Sequence, residues 1–94
     1  MEYKNQKKPK NPSERMLYDQ LTQEGWFVDK KGWPDFACFR GGEFIIIEVK
    51  PKRSHRLKKA QYRTMLALAQ RGIKCYRWSP DIGFELIITA TEHV

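Results

Sequence analysis

The dipeptide Gly41-Gly42 sits between two strand-like runs, FACFR (36–40) and EFIIIEV (43–49). Two glycines in that setting predict a tight β-hairpin, because primed two-residue turns need positive φ. So short a turn also sets the register of its strands, over 35–40 and 43–49. Arg40 then faces Glu43, Phe39 faces Phe44, Cys38 faces Ile45 and Phe36 faces Ile47. Each pair is chemically matched, an ion pair at the tip and apolar partners behind it. One step further, Asp35 falls opposite Glu48. Directly opposed side chains have Cβ atoms roughly 4.5–5.5 Å apart on one sheet face, so two bare carboxylates there repel. Lys50 lies on the same face as Glu48, because side chains alternate along a strand.

The remaining chain surrounds this hairpin with a small α/β pattern. NPSE starts a helix: Asn11 is the N-cap, Pro12 the first helical residue, and Glu14 stands where a capping box needs it. Leu17, Tyr18 and Leu21 form its inward stripe, and Gly25 ends it. A short strand is expected over 26–29. Pro51 closes the second hairpin strand, and the basic loop PKRSHR leads to a helix over 57–71, ended by Gly72. IKCYRW (73–78) reads as a further strand that Ser79-Pro80 breaks, and a short strand over 84–89 is the weakest element. The core order is α-β-β-β-α-β, a mixed sheet flanked by helices, with a right-handed parallel crossover through the long helix.

With 94 residues the chain has room for one domain. MEYKNQKKPK holds four lysines and almost nothing to bury, so residues 1–10 are expected as a mobile basic arm and 11–94 as the domain. A net charge of +7 favours polyanionic partners, nucleic acid first and an acidic membrane surface second. Cys38 and Cys75 lie far apart in apolar runs, which reads as two buried free thiols in a reducing cytoplasm. No apolar run is long enough to span a bilayer. A soluble, intracellular protein is expected.

Two readings of the opposed carboxylates follow. Lys50 by itself would serve as their counter-charge. Alternatively, Asp35 and Glu48 hold a hard divalent cation, with the Val49 carbonyl completing the protein's share of its ligands. Mg²⁺ suits such a site because it takes one or two carboxylates and keeps several waters for hydrolysis. Lys50 would then orient or help deprotonate an attacking water, or balance charge at a phosphorus centre. Gln61 sits within an apolar helical face made by Leu57, Ala60, Met65 and Leu68. It reaches either the charged cluster or a backbone partner.

GWPDF, a strand ending IIIEVK and a following helix with LKKAQ resemble the PD-(D/E)xK nuclease superfamily, and within it the VRR-NUC (virus-type replication-repair nuclease) domain. The similarity runs from about Glu14 to Trp78 and covers the stand-alone type found in phages and bacteria. It implies a restriction-endonuclease-like domain and a Mg²⁺- or Mn²⁺-dependent phosphodiesterase, in the cytoplasm of a bacterium or a phage-infected cell. Asp35 and Glu48 would hold the metal and Lys50 would be the catalytic lysine. Gln61 matches the family's helical glutamine, and Glu14 its first-helix acid, although capping alone also explains Glu14. Related archaeal Holliday-junction resolvases are homodimers, which makes branched DNA the implied substrate. A flap or nicking nuclease, or a non-catalytic nucleic-acid-binding module on the same fold, are the alternatives.

Lys52, Arg53, Arg56, Lys58 and Lys59 crowd the loop and first turn after the catalytic strand, where a phosphate backbone would need them. His55 in the same loop suits a phosphate or solvent contact better than a metal ligand. Trp33 would stack on a base or wall the site. Nothing encodes base readout, so DNA shape rather than sequence is the expected target, with no membrane and no small-molecule cofactor. Leu66, flanked by Tyr62 and Ala69, makes a second apolar patch that calls for cover from the first helix or from another subunit, and a C2 homodimer is expected.

Overall fold

A computed structural model describes residues 8–30 and 34–87. Two helices and five strands follow in the order α1 (Pro12–Gln23), β1 (Phe27–Asp29), β2 (Phe36–Arg40), β3 (Glu43–Val49), α2 (Lys59–Gln70), β4 (Lys74–Ser79) and β5 (Gly83–Leu86). The strands form one sheet in sequence order, β1-β2-β3-β4-β5. All pairs are antiparallel except β3 with β4, which run parallel across the α2 crossover. The expected α/β class and element order are present. The fifth strand begins one residue before the position expected for it.

Local chemistry explains the boundaries. Asn11 Oδ1 accepts from the backbone N–H groups of Ser13 and Glu14, satisfying two of the donors that a helix start leaves free. At the other end Trp26 N–H returns to the Leu21 carbonyl at 3.0 Å and Gly25 N–H to that of Thr22 at 3.2 Å. This Schellman closure needs a left-handed residue, and Gly25 supplies it with φ of +88°. α2 closes the same way at Gly72, through Ile73 N–H to the Leu68 carbonyl. Lys8, within the expected basic arm, pairs with Asp19 at 3.0 Å, and Pro9 is buried, so the chain is already held there. Residues 1–7 and Trp33 lie outside the described residues.

The two faces of the sheet carry separate cores. Ile45, Ile47 and Val49 of β3 point to the α1 side, packing with Leu17, Leu21, Trp26, Phe36 and Trp78. Ile46 points the other way, to Met65 of α2 and Cys75. Full burial of Leu17, Phe36, Ile47 and Met65 contributes about 1.5–3 kcal/mol each. Ala60, expected on the inner face of α2, is exposed instead. α1 and α2 pack on opposite faces, so α1 is not what covers the Leu66 patch; Leu66 and Ala69 are half-buried and Tyr62 is exposed. Cys38 and Cys75 are both free and buried, and burial pushes the Cys38 thiol up to about 12. No helix among the described residues is long and apolar enough to cross a membrane.

Candidate active site

The hairpin holds the expected register from Arg40↔Glu43 through Phe36↔Ile47. Gly41 carries the turn with φ of +58°. Regular strand pairing stops at Phe36, and Asp35 continues it through its side chain. Asp35 N–H donates to Glu48 Oε1 at 3.3 Å, and Val49 N–H donates to Asp35 Oδ2 at 2.8 Å. The two carboxylates are thereby brought together and oriented by backbone donors. Lys50 Nζ lies 3.5 Å from Glu48 Oε2 and is itself largely buried.

Glu48 is only 3% exposed. Burial pushes its carboxyl up to about 7, and the charge of Asp35 and a carboxyl–carboxyl hydrogen bond push in the same direction. The Asp35 N–H and the Lys50 ammonium pull it back only in part. With both carboxyls ionised, Lys50 alone would not balance the pair. Val49 adds a further oxygen on the same side. Lys50 N–H bonds to the Trp78 carbonyl at 2.8 Å, towards β4. Strand alternation then turns both backbone groups of Val49 towards Asp35, where its N–H is found.

Glu14 and Gln61 join this cluster less closely than the helical wheels suggest. Capping of α1 is performed by the Asn11 carboxamide. The Glu14 carboxyl is raised by burial and then by the charge of Asp35, with Lys30 opposing, so it feels the site across the end of the sheet. Among the described residues no three His, Cys, Asp or Glu side chains converge as a metal-holding group, so Glu14 does not complete a triad. Gln61 Oε1 accepts from Lys58 N–H at 3.1 Å, the backbone-satisfied alternative. α2 starts at Lys59 rather than Leu57, which makes Gln61 the third helical residue and a cap. Gln61→Ala is expected to cost about 1 kcal/mol in urea unfolding, with Gln61→Glu, which keeps an acceptor, costing less.

Three residues that sequence reasoning missed hold the basic loop in place. Arg77 stands beside Glu48 across the parallel β3–β4 pair, and Glu85 stands beside Arg77. The Arg77 guanidinium donates to the carbonyls of Lys52, Arg53 and His55. Asp81 accepts from Arg53 N–H at 3.1 Å, and Glu85 pairs with the Arg53 side chain at 3.3 Å. Arg53, expected as a DNA contact, is therefore also a tether of its own loop. Lys52, Arg56, Lys58 and Lys59 are exposed, as is His55. An arginine between the apolar residues of β4 was the available signal, but its Glu48 neighbour depends on a parallel register that spacing does not reveal.

Comparison of the chain with protein-family models, curated proteins and solved structures found no match. The nuclease resemblance rests on the motifs alone.

Proposed function

We propose that this chain is a metal-dependent, structure-specific DNA endonuclease that hydrolyses phosphodiester bonds in branched DNA such as Holliday junctions. The observation that carries the reading is the buried Glu48 set against Asp35, with Lys50 at 3.5 Å. Burial first, and the Asp35 carboxylate second, raise the Glu48 carboxyl to about 7, so ionising it inside the fold calls for a further cation. Two carboxylates and a strand carbonyl, with no nitrogen or sulfur donor, suit Mg²⁺ or Mn²⁺. Asp35, Glu48 and the Val49 carbonyl would hold the ion. When bound, it supplies charge neutralisation and Lewis-acid activation of water at the phosphate.

The chain's own residues do the rest. Val49 N–H keeps Asp35 aimed into the site. Lys50, restrained beside Glu48, orients the attacking water or offsets the charge that builds on the phosphate oxygens. Water adds to phosphorus, the P–O bond to one sugar breaks, and that sugar oxygen takes up the proton. The exposed cations of the 52–59 segment position the DNA backbone, which gives shape-based rather than base-specific recognition. A C2 dimer would present two such sites to two strands.

The test is incubation of the protein with four-way junction, flap, single-stranded and linear duplex DNA in Mg²⁺, Mn²⁺ or EDTA. Cleavage of branched DNA that disappears in EDTA is expected. Flap cutting without junction cutting would favour the flap-nuclease alternative. Binding with no cutting under any metal would leave a nucleic-acid-binding module.

A further inference from the structure

A groove of about 640 Å³ opens between α2 and the edge strand β5, within the size range of small-ligand sites, roughly 300–1,000 Å³. Arg53, Arg56, Lys59 and Arg77 line it, against the single carboxylate of Glu85. Glu85 is already engaged by Arg53 at 3.3 Å and Arg77 at 3.9 Å. Arg56 and Lys59 are both exposed and have no carboxylate partner among the described residues. The rest of the lining is apolar: Leu57, Tyr62, Leu86 and Ile87. Tyr62 is 42% exposed and Leu86 50%.

Cations beside an exposed aromatic ring suit a particular occupant. Paired duplex DNA offers a protein phosphates and groove edges, while its base faces stay stacked inside. An unpaired nucleotide offers a phosphate and a free base face together, and aromatic stacking with a basic track is how single strands are held. The position is equally specific. Arg77 is the lateral neighbour of both Glu48 and Glu85 on one sheet face. Adjacent strands lie about 4.7–4.9 Å apart, so the groove begins about 5–10 Å from the buried carboxylate.

We infer that the groove between α2 and β5 takes an unpaired nucleotide of the DNA, with its phosphate on Arg56 and Lys59 and its base against Tyr62. This rests on the nuclease reading for the location of the scissile bond. It narrows the branched substrate to DNA with an unpaired nucleotide near the cut, on the β5 side of the site, as in a flap or an opened junction rather than a fully paired one. Lys52 and Lys58, exposed and outside the groove lining, then carry the paired part.

The measurement is fluorescence anisotropy in EDTA, where no metal-dependent cutting occurs, with a duplex bearing a short single-stranded tail and the same duplex blunt. Wild type is expected to prefer the tailed DNA. Tyr62→Ala should lose about tenfold in affinity for it, the order of one stacked base, with the blunt duplex little changed. Tyr62→Phe should retain the preference, and Arg56→Ala with Lys59→Ala should weaken tailed binding and its salt dependence. Equal wild-type affinity for both DNAs, or equal weakening of both by Tyr62→Ala, would overturn the inference. So would a Tyr62→Ala protein that changes from dimer to monomer in sedimentation while keeping its tail preference, because the groove would then be a subunit contact. Failure of the nuclease reading shows separately, as absence of cleavage in Mg²⁺ and Mn²⁺ with the tail preference intact.

Discussion

Asp35→Asn is expected to abolish metal-dependent DNA cleavage, by about a thousandfold or more, and to leave the metal-free protein more stable at pH 8. The substitution is nearly isosteric. An asparagine carbonyl can still accept from Val49 N–H, which Asp35 Oδ2 does at 2.8 Å. Its amide would face Glu48 as a donor instead of a second negative charge, so Glu48 falls back towards the ordinary carboxylate range. Asp35→Ala is a harsher variant, because it strands the Val49 N–H at a cost of about 1–3 kcal/mol. Loss of cutting in both variants, with stability moving in opposite directions, would separate a metal-site role from a structural one. Lys50→Met should also lose cutting, and it should raise Glu48 further, since Lys50 is the cation that holds it down. DNA affinity in EDTA should survive all three. Cutting that persists in Asp35→Asn or Lys50→Met would remove the proposed mechanism.

In EDTA the protein should lose stability as the pH rises from about 5 to 8. Glu48 has an ordinary value of 4.5 and is pushed to about 7 in the fold. The folded chain therefore holds this proton more tightly than the unfolded chain. Its contribution is fully present below about 4.5 and is lost as pH passes through about 7. Glu14, also raised, acts with the same sign. The change is of the order of 2 kcal/mol. Urea unfolding across this pH range in EDTA measures it. Saturating Mn²⁺ should flatten or invert the slope, because the ion replaces the proton and stabilises the fold it binds. Glu48→Gln should remove most of the slope. A flat wild-type profile in EDTA, or an unchanged slope in Glu48→Gln, would show that the two carboxyls do not share a strained site.

The site was legible in the sequence to the extent that a short turn propagates. A two-residue turn leaves no freedom in register, so the pairs from Arg40–Glu43 to Phe36–Ile47 followed, and Asp35 fell beside Glu48. What the pattern did not show is that Asp35 leaves the strand ladder and bonds through its carboxylate. For Gln61 a backbone partner was one of two readings, but which backbone group was not legible, for a related reason. A helical wheel gives the face but not the first residue, and a start two residues later turned a core glutamine into a cap. The contacts of Arg77 and Asp81 with the 52–55 loop were hidden because parallel β3–β4 pairing across a helix gives no local signal. Glu85 meets Arg77 across the antiparallel β4–β5 hairpin, whose second strand was the weakest element in the sequence. Local rules reached as far as local geometry did.

Calorimetric titration of Mn²⁺ into the protein at about pH 6.5, in two buffers of different protonation enthalpy, tests the carboxylate pair most directly. The proposed metal site predicts saturable binding that releases a proton, since Glu48 must ionise to bind, and it predicts that binding is lost in Asp35→Asn. Saturable binding of equal strength in Asp35→Asn, or no saturable binding in the wild type, would contradict it.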